Sequence, residues 1–171
     1  MQDYQKEYTD EQEHSMKRPD LCGLGGWLIL VGFSLVTSLF LVGKRLFDLY
    51  SFITGEEWFL FTNTHSEFYH PMWKPCIFFE TSINIILFLL LITLIICFFT
   101  KKKSFPKLMI FMYMFVVITS IIDYILILQI PLIYEAGDTS TFSAIIRASI
   151  TASIWITYFI KSIRVKNTFV K

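Results

Sequence analysis

Four long apolar runs alternate with polar connections along the chain, at residues 24–43, 76–99, 105–128 and 142–160. A helix needs roughly 20 apolar residues to cross a hydrocarbon core, and each run meets that length. Each is also apolar nearly all round rather than striped, as expected where the outer helix faces meet lipid. Pro75 and Pro106 fall at first turns, where a missing N–H costs nothing, and Pro131 follows the third run as a stop. The pattern predicts an all-α membrane protein, a four-transmembrane-helix bundle forming one integral domain over residues 1–171. Around the spans it places a polar N-terminal segment (1–23), a long aromatic outer loop (44–75) and a basic tail (161–171). No internal repeat and no soluble domain stands out.

Composition sharpens this. Of 171 residues, 54% are hydrophobic and only 17% charged, against about a quarter charged in soluble chains. Fifteen Lys and Arg against fourteen Asp and Glu leave a net charge of +1, so nothing points to nucleic acid. The first run is preceded by a segment with six acids instead of a short basic one, and no small-residue cleavage site follows it, so it reads as a true span. Flanking charge predicts orientation. The N-terminal segment, the loop between spans two and three, and the tail together carry eleven Lys and Arg; the opposite side carries only Lys44, Arg45 and Lys74. Both termini are therefore expected in the cytoplasm. Trp27, Trp155 and Tyr158 at one interface and Tyr50, Trp58, Tyr69, Trp73 and Tyr134 at the other fit the aromatic belts of such a protein.

Chemistry concentrates in the ionisable residues within spans. Glu80, Asp123 and Arg147 each lie four or five residues from the outer end of a run, about 6–8 Å deep, with Asn84 one turn below Glu80. Charges there usually face inward and pair. Three readings stay open: a structural ion pair, most simply Glu80 with Arg147; an outward-open polar cavity binding an anionic or protonatable ligand through Arg147, with the carboxylates as a proton relay; or a trio reaching for the headgroups. The last run carries Ser143, Ala144, Ala148, Ser149, Ala152 and Ser153 at spacings that permit close helix approach, within the molecule or to a second copy. His65, Glu67 and His70 match no zinc spacing with a fourth ligand, so no metal site is expected. Cys22, Cys76 and Cys97 form no pair motif. No nucleotide loop, nucleophile elbow or metalloprotease motif is present, and neither a catalytic residue nor a cofactor is expected. The lysine clusters at 101–103 and 161–166 read as topology determinants that also attract anionic headgroups.

At the cytoplasmic ends the sequence is more particular. Gly25-Gly26-Trp27-Leu28 opens the first span, Trp155-Ile156-Thr157-Tyr158-Phe159 closes the last, and Ser162-Ile163-Arg164-Val165-Lys166-Asn167-Thr168-Phe169 follows. Together with Phe79-Glu80, Asn84 and Phe105-Pro106, these strings resemble the bacterial domain-of-unknown-function family 2569, the YdgK-like inner-membrane proteins. The likeness covers nearly the whole chain; Thr157 departs from it, standing where that family tends to have proline. The resemblance implies four spans in a bacterial inner membrane and no defined activity. Gly25, Gly26, Trp27, Trp155, Tyr158, Arg164, Lys166 and Phe169 form a candidate packing motif, with residues 164–169 expected to fold back beneath the bundle, since glycines permit close approach. The expected function is that of a non-enzymatic accessory or interaction protein, its partners the lipid bilayer and another membrane protein or a second copy. The alternative is a small transporter or proton-coupled carrier using Glu80, Asp123 and Arg147.

Overall fold

The computed structural model describes residues 23–131, 133 and 140–171. The N-terminal polar segment with Cys22, and most of the connection before the last span, lie outside the described residues. The described elements are α1 (Trp27–Thr54), α2 (Glu56–Thr62), α3 (Trp73–Phe99), α4 (Phe105–Ile127), α5 (Ser140–Lys161) and α6 (Ile163–Thr168). Of these, α1, α3, α4 and α5 are long and apolar enough to cross a membrane. Pro106 sits in the first turn of α4, as its fixed φ favours.

α1 does not end where the apolar run ends. It continues through Lys44, Arg45 and Asp48 to Thr54, and Gly55 follows in an extended conformation. Helix hydrogen bonding is indifferent to a drop in hydropathy. No proline interrupts residues 44–54, and Leu46, Leu49 and Ile53 keep the i, i+3, i+4 spacing that leaves one apolar side on the bundle. At 28 residues α1 is about 42 Å long, more than a hydrocarbon core requires, so the segment expected to begin a loop is a helical extension. The remaining outer residues fold as an aromatic cap on that extension. Phe61 meets the rings of Phe52 at 5.9 Å and Trp73 at 4.7 Å, and Trp58 bridges Phe52 and Phe78.

The spans pack in chain order: α1 on α3, α3 on α4, and α4 on α5. No extended packing joins α1 to α5 along their length. What closes the molecule is a cluster at the end bearing the described N-terminus and the tail. Leu28 and Val31 of α1, Leu94 and Phe98 of α3, Phe105 and Met109 of α4, Phe159 of α5 and Val165 and Phe169 of the tail are buried together there. Elsewhere the spans turn large apolar side chains outward, among them Phe33, Phe40, Leu89, Ile122 and Ile154, as lipid contact requires. Several hydroxyls within the spans are satisfied locally. Thr119 and Ser120 donate to the carbonyls of Phe115 and Val116, and Thr157 donates to that of Ser153.

Candidate functional site

The charged groups of the spans meet at the loop end. Arg45, on the extension of α1, donates from Nε to Glu80 Oε1 at 2.8 Å, and its Nη2 reaches the same oxygen. The partner of Glu80 is therefore Arg45, a residue assigned to a loop from sequence, and not Arg147.

Helix rise explains why. The rings of Phe98, Phe105 and Phe159 touch one another through Phe105, at 5.2 and 5.9 Å, and so mark one height in the bundle. Glu80 lies 18 residues up α3 from that level and Asp123 lies 18 residues up α4, about 27 Å in each case. Arg147 lies only 12 residues up α5, about 18 Å, leaving it about 9 Å, or about 1.7 turns, too low. Among the described residues Arg147 makes no ion pair, and it sits on an exposed face of α5. Asn84 does not join the charges through its side chain. It donates from Nδ2 to the backbone carbonyl of Glu80 at 2.8 Å, closing its own helical turn. Of the fourfold set Glu80, Asn84, Asp123 and Arg147, Glu80 is the member that enters an ion pair among the described residues, and its partner is Arg45.

Beside the ion pair a cleft of about 770 Å³ opens at the surface. Asp48 and Glu80 line it from α1 and α3, Glu56 and Glu57 from the start of α2, and Phe52 and Trp73 supply aromatic walls. Among the described residues Arg45 is the one cation on this lining, and it is engaged by Glu80. The cleft is an acidic, aromatic-walled recess suited to a cationic or mixed cationic–apolar group. His65 and His70 shape the loop nearby: the His65 N–H donates to Asn63 Oδ1, and His70 Nδ1 accepts from the Met72 N–H. No group of three or more potential metal ligands assembles among the described residues.

At the opposite end the tail is built into the fold. Ser162 caps α6 by accepting from the Val165 N–H, and Thr168 donates to the Gly23 carbonyl at 3.2 Å. The Arg164 guanidinium lies so near Gly25 and Gly26 that a Cβ on Gly25 would stand 2.8 Å from Nη1. Phe169 stacks on Phe105 at 4.4 Å. Trp155 and Tyr158 extend this ring cluster through Phe159. Trp27 and Lys166 stand apart from it: Trp27 is 64% exposed, facing outward at the end of its helix, and Lys166 points to the surroundings.

Four apolar spans, a loop-end cleft and a folded-back tail define an all-helical, multi-pass membrane protein. The family model described as "protein of unknown function (DUF2569)" matches residues 21–170, and the chain belongs to that family. No match is found among curated proteins or among solved structures.

Proposed function

We propose that the chain is a non-enzymatic accessory protein of the bacterial cytoplasmic membrane, with both termini in the cytoplasm, whose loop-end cleft receives a cationic group of a membrane partner. The observation that carries this reading is the lining of the cleft. Asp48, Glu56 and Glu57 surround a recess whose cation, Arg45, is already neutralised by Glu80, so the recess presents net negative charge beside the Phe52 and Trp73 rings. Carboxylates beside aromatic faces attract cations by both Coulomb and ring-quadrupole terms. Photo-crosslinking in intact cells from positions 48 and 57, with lipid-facing position 92 as control, tests it. The accessory role expects a discrete protein adduct from the cleft positions, lost when the two carboxylates of Asp48, Glu56 and Glu57 that remain beside the photoreactive residue are replaced by Asn or Gln. Lipid adducts alone, or adducts indifferent to those substitutions, would overturn it.

A carrier is the second reading, and it draws on Asp123, which stands on α4 at the height of Glu80 on the neighbouring α3. It would use Arg45 where the sequence suggested Arg147. Proteoliposomes that accumulate a lipophilic cation under an imposed proton gradient, and lose this with Asp123→Asn, would favour the carrier.

A further inference from the structure

All six described acids, Asp48, Glu56, Glu57, Glu67, Glu80 and Asp123, lie in the loop-end half of the molecule. The tail end is the reverse: Lys101, Lys102, Lys103, Lys107, Lys161, Arg164, Lys166 and Lys171 gather there with no acidic side chain among the described residues. The fold fixes several of these cations on one short stretch of backbone. Lys103 donates its N–H to the Lys171 carbonyl at 2.7 Å, and the Lys171 N–H donates to Lys101 at 3.3 Å. α3 ends in a Schellman turn, the Lys102 N–H bonding the Cys97 carbonyl and the Lys101 N–H that of Phe98. Lys101 occupies the left-handed position of that turn, at φ 55°, where glycine is the unstrained choice. The turn thus keeps a lysine at a conformational cost, beside two further lysines and a tail that adds more.

We infer that the loop of Lys101, Lys102 and Lys103, held by the folded-back tail, is a built docking surface for the anionic headgroups of phospholipids in the leaflet at that end. Charge complementarity selects the occupant. The surface lies at the mouth of the membrane-spanning segments, where phosphodiester headgroups are the abundant anions, and each cation near such a surface adds to the attraction. Phe99, two residues before the loop, and Ile163, at the start of α6, are exposed apolar side chains at the same end of the molecule. Tail contacts hold the arrangement together, and for this reason the site differs from a merely basic loop.

Native mass spectrometry of the full chain in detergent, doped equally with phosphatidylglycerol and phosphatidylcholine, tests this through the lipid retained. Wild type is expected to retain phosphatidylglycerol preferentially, and Lys102→Gln with Lys103→Gln to reduce the preference by about tenfold or more. Lys44→Gln with Lys74→Gln, at the opposite end, leaves it unchanged. Lys101→Gly is the discriminating variant, because it relieves the turn: it raises Tm while lowering phosphatidylglycerol retention. Equal retention of the two lipids by wild type would overturn the proposal. So would an undiminished preference in Lys101→Gly, or displacement of the lipid by inorganic phosphate at low concentration, which would make the surface a free-phosphate site. A preference that appears only after residues 1–22 are removed would also overturn it, by assigning this surface to the chain's own acidic segment.

Discussion

At the scale of single residues, the pairing of Arg45 with Glu80, and the lack of an ion pair for Arg147 among the described residues, make opposite predictions for two arginines. Glu80 is 27% exposed and Arg45 56%, so their pair is worth no more than about 1 kcal/mol even with good geometry. A double-mutant cycle with Arg45→Gln and Glu80→Gln, read by unfolding in detergent, is expected to show coupling of that size, whereas Arg147→Gln with Glu80→Gln is expected to show none. Glycine positions give a second contrast. A Cβ on Gly32 would lie 2.9 Å from Cε1 of Phe98, a buried ring with neighbours on several sides, whereas one on Gly43 would lie an ordinary 3.6 Å from Phe88. Gly32→Ala should therefore lower stability by about 1–3 kcal/mol by overpacking. Gly43→Ala should be neutral or raise Tm, because it removes a helix-interior glycine. Both are read by thermal unfolding of the purified protein.

At the scale of elements, α6 is too short to persist by its own hydrogen bonds, and its order comes from what it packs on. Val165 and Thr168 face inward, and Phe169 enters a ring cluster shared by α3, α4 and α5. Phe169→Ala removes the largest of these anchors and should cost about 3 kcal/mol. Limited proteolysis separates this from general destabilisation: cleavage after Lys161, Arg164 or Lys166 should accelerate while the spans stay intact. Unchanged protection of the tail would contradict the packing role. The extension of α1 follows the same logic in reverse. Its charged residues carry no membrane signal, yet the helix persists because Leu49 is buried and the Phe52 ring is held in the aromatic cap.

At the scale of the whole molecule, the charge division between the two ends predicts sidedness. In a chain whose native cysteines are replaced, single cysteines at positions 67 and 102 should react oppositely with an impermeant maleimide applied to intact cells. Position 67 is expected to label, and position 102 only after permeabilisation; the reverse pattern would invert the topology and move the cleft to the cytoplasmic side. The same division separates the two proposed sites in space. The acidic cleft and the basic headgroup surface lie at opposite ends of an open series of spans, so variants at one end are expected to leave the other end's binding unchanged.

The existence and number of the membrane-capable helices were legible from residue order alone, because lipid imposes one minimum length and one composition on any crossing helix. The likeness of the tail and of Gly25-Gly26 to a known family was legible too, and the close approach of Arg164 to those glycines matches the expected fold-back. Tertiary structure alone decided which charges meet. Glu80, Asp123 and Arg147 look equivalent when each is counted from the edge of its own apolar run, but runs and helices do not end together. Arg45 was hidden because hydropathy reports solvent preference, whereas helices end by hydrogen bonding and turn chemistry at Gly55. The height of each charge is set by where the helices interlock, at Phe98, Phe105 and Phe159, and that register is a property of packed side chains that no single run contains.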